Sequence, residues 1–250
     1  MRGLSIDYVN EDQGTRHQAV DGLDLDIYAH EFLCVVGPSG CGKSTLISAI
    51  SGFLRPTSGT LLMDGVPIRG PGADRGVVFQ EYALLPWKTV LDNVGLGLKL
   101  RGMPKAERNQ TARRYLKLTN LEAAEAKYPY ELSGGMKQRA AVARTLANQP
   151  QIMLMDEPFA AVDAQTRMTL QEELLRICAS TKVTVLFVTH SVEEAVFLAD
   201  RVAVLSPGPG RLREVLTVNI PRANRSWNQL NNDPDYVAIR DRVLALVRTH

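Results

Sequence analysis

Mostly apolar runs recur along the chain at lengths that suit buried strands. The run Phe32-Leu33-Cys34-Val35-Val36 is one, and residues 152–155 and 183–188 are two more. Apolar positions at helical spacing lie between the runs, as over residues 165–179. Because continuous apolar runs are typical of strands covered on both faces, the pattern predicts an α/β fold with a parallel core sheet.

Two other parts of the chain have a different pattern. Residues 4–27 contain short alternating apolar segments around a Gly14-Thr15 break, which predicts an antiparallel β region at the N-terminus. Residues 91–147 interleave polar and apolar positions at helical spacing, which predicts a helical subdomain inserted into a single domain spanning residues 1–250. A tail over about residues 227–250 is predicted to pack as one helix.

Composition narrows the function classes. The 250 residues carry 29 Lys and Arg against 27 Asp and Glu, so a net charge of +2 gives no reason to expect a nucleic-acid partner. Cys34, Cys41 and Cys178 lack the spacing of a disulfide framework or zinc site, which favours a reducing cytosol. No apolar run reaches the roughly 18 to 20 residues of a membrane-spanning helix, and the N-terminus lacks an apolar signal-peptide core. Any membrane crossing is therefore expected to belong to a partner.

The first apolar run ends in a glycine-rich segment. Glycines there let backbone N–H groups point at phosphate, and a helix N-terminus favours anions. The segment fits the pattern GxxxxGK[ST] and continues into a predicted helix with Thr45, its residues being Gly37, Pro38, Ser39, Gly40, Cys41, Gly42, Lys43 and Ser44. A plain strand-to-helix turn would need neither Lys43 nor Ser44, so we expect the phosphates of a nucleotide to bind at residues 37–45. Lys43 would reach the terminal phosphates, Ser44 would be a Mg²⁺ ligand, and Cys41 would only pack.

Two adjacent carboxylates follow the apolar run at residues 152–155. In a parallel sheet, Asp156 and Glu157 would lie at the same edge as the glycine-rich segment. Asp156 is predicted to hold Mg²⁺ and its water shell, and Glu157 to orient or deprotonate the water that attacks the terminal phosphate. A solvated strand end is the alternative for this pair taken alone.

A second small-residue helix start occurs at Leu132-Ser133-Gly134-Gly135. One nucleotide rarely needs two phosphate cradles, and here the chain resembles the ABC ATPase family, whose LSGGQ signature closes over the nucleotide of the opposite subunit. The resemblance runs over about residues 4–220 and implies the P-loop NTPase fold and a head-to-tail homodimer with two shared sites. Met136 stands where the family usually has glutamine, which leaves the cradle of Ser133, Gly134 and Gly135 intact.

The same resemblance assigns further site residues. Gln80 matches the glutamine that touches Mg²⁺ and couples to a permease, and Asp163 matches an aspartate that lies across the dimer. His190 matches the histidine that contacts the terminal phosphate. The family also stacks adenine on an aromatic residue, but alignment places Gln13 at that position, with Tyr8 and His17 as nearby alternatives.

Further details of the sequence resemble the nitrate, sulfonate and taurine importer branch of the family. They include residues 70–80, the segment Leu84-Leu85-Pro86-Trp87 and residues 206–211. The resemblance implies transmembrane permease subunits, a periplasmic or extracellular solute-binding protein and a position on the cytoplasmic face of the inner membrane. Tyr82, Leu84, Leu85 and Trp87 would either receive the permease or pack internally.

Three other function classes fit less well. An ABC-type ATPase of DNA ends needs a long heptad insertion, which this sequence lacks. A soluble kinase or GTPase with a phosphate loop would leave the segment around Ser133 and His190 without a role. A translation-associated ABC protein needs two cassettes, and this chain has one.

Overall fold

A computed structural model of the protein describes residues 1–10, 14–230 and 233–248. The chain divides into two units, Met1–Gly72 with Thr184–His250, and Ala73–Val183. In chain order the strands are β1 Arg2–Asn10, β2 Thr15–Leu23, β3 Phe32–Val36, β4 Ser58–Thr60, β5 Leu62–Met63, β6 Val66–Pro67, β7 Arg75–Val78, β8 Ile152–Asp156, β9 Thr184–Thr189, β10 Arg201–Leu205 and β11 Leu212–Thr217. The α-helices are α1 Lys43–Ser51, α2 Val90–Val94, α3 Leu96–Leu100, α4 Lys105–Leu118, α5 Gly134–Ala147, α6 Ala164–Thr181, α7 Val192–Leu198, α8 Trp227–Leu230 and α9 Pro234–Arg248.

The core of the first unit is a sheet in the order β11-β10-β3-β9. β3 pairs in parallel with β9 and with β10, and β11 is antiparallel to β10. Every residue of β3 is buried, as the continuous apolar run predicted. The Phe32 and Phe187 rings lie 5.8 Å apart, so neighbouring strands also share aromatic packing.

The predicted antiparallel region at the N-terminus is a second sheet, in the order β2-β1-β4. β1 pairs antiparallel with β2, and its register aligns Tyr8 with His17. Leu4, Ile6 and Leu23 are fully buried, whereas Tyr8 is 45% exposed. Tyr8 has the same parity as Leu4 and Ile6, but the register of β1 against β2 shifts between Ile6 and Asp7, so regular alternation does not carry the buried face on to Tyr8.

In the second unit β7 and β8 pair in parallel, and helix α5 packs on β7. The Thr145 hydroxyl of α5 donates to the Val77 carbonyl of β7 at 3.3 Å. A Cβ at Gly76 would lie 2.3 Å from the Thr145 Cγ2 atom, so only glycine permits this close approach. Helices also occupy much of the predicted subdomain, with α2 to α5 and short 3₁₀ helices at Glu122–Ala124 and Pro129–Glu131.

The prediction of one helix for the tail is wrong, because the structure has α8 and α9 there. Asp233 begins the second helix: its Oδ1 accepts hydrogen bonds from the N–H groups of Asp235 and Tyr236, at 2.9 and 3.2 Å. Pro234 follows, with the fixed φ that suits a first helical position. The capping residue and the proline therefore start a new helix rather than continue α8.

Candidate functional site

The glycine-rich loop at residues 37–42 joins β3 to α1. The ammonium of Lys43 turns back into this loop and donates to the carbonyls of Gly37 and Pro38, at 2.9 and 3.0 Å. Lys43 is only 7% exposed, so its charge is concentrated inside the loop at the start of α1. A buried ammonium at a helix N-terminus favours anions such as phosphate.

Close packing restricts which residues can form the loop. Gly42 has φ 89°, and a Cβ there would lie 2.5 Å from the Ala19 carbonyl oxygen. A Cβ at Gly37 would lie 2.7 Å from the Cys41 sulfur. Burial raises the pKa of the Cys41 thiol although the Lys43 charge opposes this, so the thiol is held neutral and packs in the loop, as the sequence indicated.

His190 follows β9 directly, within the same unit as the glycine-rich loop. The register pairs Thr189 with Val36, the residue before Gly37, so His190 and the loop leave neighbouring strands at the same edge. The Thr189 hydroxyl donates to the buried Glu194 carboxylate and accepts from the Ser191 N–H. These bonds brace the turn that carries the exposed His190 side chain.

Tyr8 is the aromatic residue that the structure places beside the start of α1. Its hydroxyl lies 3.2 Å from the Thr45 hydroxyl. His17 is its register partner on the neighbouring strand. Gln13, the position that alignment on the family had selected, lies outside the described residues.

The second unit brings Gln80, Asp156 and Glu157 to one sheet edge. β7 and β8 are parallel with Val78 paired to Met155, so the residues that follow each strand emerge side by side. Glu157 has φ 43°, an uncommon backbone conformation for a residue with a side chain, and its carbonyl accepts from the Ala160 N–H at 3.1 Å. This tight turn fixes the direction in which the chain leaves β8.

Ser133 and Asp163 each cap a helix of the second unit. The Ser133 hydroxyl accepts from the Met136 N–H at 3.3 Å, and Asp163 accepts from the Thr166 N–H at 3.0 Å. The hydrogen bond from Thr166 lowers the pKa of the Asp163 carboxyl, which keeps it ionised. A Cβ at Gly135 would lie 2.9 Å from Thr166 Cγ2, so the starts of α5 and α6 are in contact. Gly134 is exposed, which leaves the N-terminus of α5 accessible.

The structure therefore forms three groups of the predicted site residues. The first unit holds residues 37–45 with His190. In the second unit, one group lies on the sheet edge after β7 and β8: Gln80, Asp156 and Glu157. The other group lies at the starts of α5 and α6, which contact each other: Ser133, Gly134, Gly135 and Asp163. Sequence reasoning missed Thr189 and Glu194, which brace the histidine turn. Since Glu193 and Glu194 are adjacent and alike, no sequence pattern showed which of them is buried.

The predicted Mg²⁺ ligands have suitable donor chemistry. Ser44, Gln80 and Asp156 offer a hydroxyl, an amide and a carboxylate oxygen, and Mg²⁺ prefers oxygen ligands. Among the described residues there is no cluster of three or more His, Cys, Asp or Glu that could hold a metal ion.

Comparison with known proteins decides the family. The family described as ABC transporter matches residues 20–160, which include the glycine-rich loop, the helix start at Ser133 and the carboxylate pair. The chain belongs to the ABC transporter family. An uncharacterized ABC transporter ATP-binding protein of Methanocaldococcus jannaschii is 58% identical over 85% of this chain and 79% of its own length.

Two relatives bear on the branch of this ABC protein. The taurine import ATP-binding protein TauB of Chromobacterium violaceum is 46% identical, over 98% of this chain and 95% of its own length. TauB of Escherichia coli O157:H7 is 45% identical over 98% and 96%. The resemblance to the importer branch with taurine transporters is thus confirmed.

Solved structures confirm the α/β fold of an ABC ATPase. The ATP-binding cassette MJ0796, in a dimeric post-hydrolysis state bound to ADP and Pi, matches with a TM-score of 0.75 and 30% identity. The match covers 88% of this ABC protein and 98% of that chain. The predictions of an ATP-binding and ATP-hydrolysing transport subunit are confirmed with it. Within the described ranges, no helix has the length and apolar character that a membrane span requires.

Proposed function

We propose that this ABC protein is the ATPase of an importer for a small anionic solute such as taurine, another sulfonate or nitrate. In this proposal two copies bind ATP between them, and their closure drives a permease served by a periplasmic or extracellular solute-binding protein. The observation that carries the proposal is the pair of glycine-lined helix starts, α1 with the buried Lys43 ammonium and α5 capped by Ser133. The identity to taurine import proteins supports the solute class.

We assign the hydrolysis chemistry to four side chains. Lys43 stabilises negative charge on the phosphates from its position in the loop, and Glu157 orients and deprotonates the attacking water. His190 contacts the terminal phosphate from the braced turn after β9. Ser133 of the partner subunit completes the closed site, and Asp163 contributes across the same dimer interface.

We propose that the oxygen atoms of Ser44, Gln80 and Asp156 would hold Mg²⁺. When bound, the ion supplies charge neutralisation to the phosphates. We propose that residues 37–42, with Lys43 and Thr45, hold the nucleotide through backbone N–H groups. Tyr8 is our candidate for the adenine contact, because its hydroxyl already reaches Thr45 and its ring is exposed.

An exposed aromatic side chain supports a permease contact after Gln80. Trp87 is 70% exposed, which favours docking for this residue, whereas Tyr82, Leu84 and Leu85 are half-buried. We place the ABC protein peripherally on the cytoplasmic face of the inner membrane, beneath its permease. Within the single domain, residues 91–147 are proposed as the helical subdomain, and residues 227–250 as a helical tail.

The substitution Glu157→Gln tests the shared site. It removes the proposed base while keeping size and hydrogen bonding, so ATP should still bind and hold two copies together, with turnover reduced at least about 100-fold. We expect size exclusion with MgATP to show a dimer for this variant and a monomer without nucleotide. Lys43→Ala should instead lose ATP binding and remain a monomer under both conditions.

Glu107→Gln is the matched control, because Glu107 is an exposed residue in the first turn of α4. It should show the turnover and the elution of the unmutated protein. Normal ATP turnover by Glu157→Gln would show that Glu157 is not the base that deprotonates the attacking water. A Glu157→Gln protein that binds ATP tightly yet stays monomeric would overturn the shared-site proposal.

A further inference from the structure

The loop after β7 has a backbone that needs outside support. Tyr82 and Ala83 are consecutive residues with φ 57° and 49°, the left-handed region that residues with side chains rarely adopt. Two such residues in a row are unfavourable unless their surroundings stabilise them. The conformation therefore identifies a segment that other groups hold in place.

Arg144 of helix α5 supplies much of that support. Its guanidinium donates to the Ala83 carbonyl at 2.5 Å and to the Tyr82 carbonyl at 3.0 Å, across 61 and 62 residues of chain. Burial lowers the pKa of Arg144, and a charged group in such surroundings makes strong hydrogen bonds. One side chain thus binds both left-handed residues at once.

The opposite end of α5 meets the same loop. A Cβ at Gly134 would lie 3.4 Å from the Tyr82 hydroxyl oxygen, so the phenol lies against the first residue of α5. Further along the loop, the buried Asn93 amide of α2 accepts from the Leu85 N–H at 2.8 Å and donates to the Leu85 carbonyl at 3.1 Å. The loop is therefore attached at Tyr82 and Ala83 to α5, and at Leu85 to α2.

We propose that Arg144 is a positioning residue for ATP hydrolysis, acting through Tyr82 and Ala83 on Gln80. It fixes Gln80 relative to the helix start at Ser133, so the two move together when the site closes. Gln80 is two residues from the first attached carbonyl, and displacing it would misplace the groups it contacts. The inference rests on the proposed role of Gln80 at the hydrolysis site.

Steady-state ATP hydrolysis by the full chain tests this role. Because the ATP-binding residues 37–45 make none of these contacts, Arg144→Ala should lower kcat about 10-fold or more and leave KM for ATP within about two-fold. Arg144→Lys keeps the charge with one donor group and should recover part of kcat. Arg101→Ala is the matched control, since Arg101 also donates to a backbone carbonyl, that of Asn148 at 2.8 Å, but lies at the end of α3.

A double variant separates positioning from general destabilisation. If Arg144 acts through Gln80, combining Arg144→Ala with Gln80→Ala should be no slower than Gln80→Ala alone. The positioning role would be overturned if the two losses in kcat multiplied in the double variant, or if Arg144→Ala had a normal kcat while Gln80→Ala was slow. Either result would leave the proposed function standing. Normal turnover in Gln80→Ala would overturn the role of Gln80 itself and the inference with it. Should Arg144→Ala fail to fold, the same cycle with Arg144→Lys decides the question.

Discussion

At the residue scale, Gly42 restricts the conformation of the glycine-rich loop between β3 and α1. Gly42 has φ 89°, and a Cβ added to it would lie 2.5 Å from the Ala19 carbonyl oxygen, so Gly42→Ala must shift the backbone of β2. We expect a loss of about 2–4 kcal/mol in the free energy of unfolding, together with weaker ATP binding. Gly65→Ala has a similar φ of 79° but open space around it, so it should cost only about 1 kcal/mol. Urea unfolding of both variants measures the difference, and equal losses would contradict the close-approach argument.

At the element scale, one buried tyrosine attaches helix α9 to helix α7. Tyr236 is 1% exposed, its hydroxyl donates to the Glu193 carbonyl at 3.3 Å, and burial raises its pKa to about 12 from 10.0. Because the folded state holds this proton more tightly than the unfolded state, the stabilisation is complete below pH 10 and lost as the pH rises to 12.

Tyr236→Phe should therefore lower the free energy of unfolding at pH 7 by about 1 kcal/mol and flatten its decline at alkaline pH. Urea unfolding of the two proteins between neutral and strongly alkaline pH provides the comparison. If the free energies of unfolding of the two proteins changed in parallel with pH, Tyr236 would have an ordinary pKa.

At the scale of the whole molecule, the exposed Trp87 predicts how the ATPase meets its permease. Trp87→Ala should leave folding and unstimulated ATP turnover unchanged, because the side chain is 70% exposed and buries little in this chain. Affinity for the permease should fall by about 2 kcal/mol, roughly 30-fold, as for an aromatic anchor at an interface. Phe53→Ala is the control, at 62% exposure in the other unit. The measurement is the stimulation of ATP turnover by the permease in vesicles. An equal stimulation of both variants would exclude Trp87 from the permease contact.

Local sequence determined the parts of this protein whose chemistry is local. A phosphate cradle works through the backbone of adjacent residues, so residues 37–45 and the helix start at Ser133 could be read directly, as could the buried run of β3. Contacts between distant residues depend on register and packing, which no local pattern encodes. Only the tertiary structure showed that Arg144 holds Tyr82 across 62 residues and that Tyr8 reaches Thr45 across 37. It also selected Glu194 over its identical neighbour, because burial against Thr189 is decided by the turn between β9 and α7.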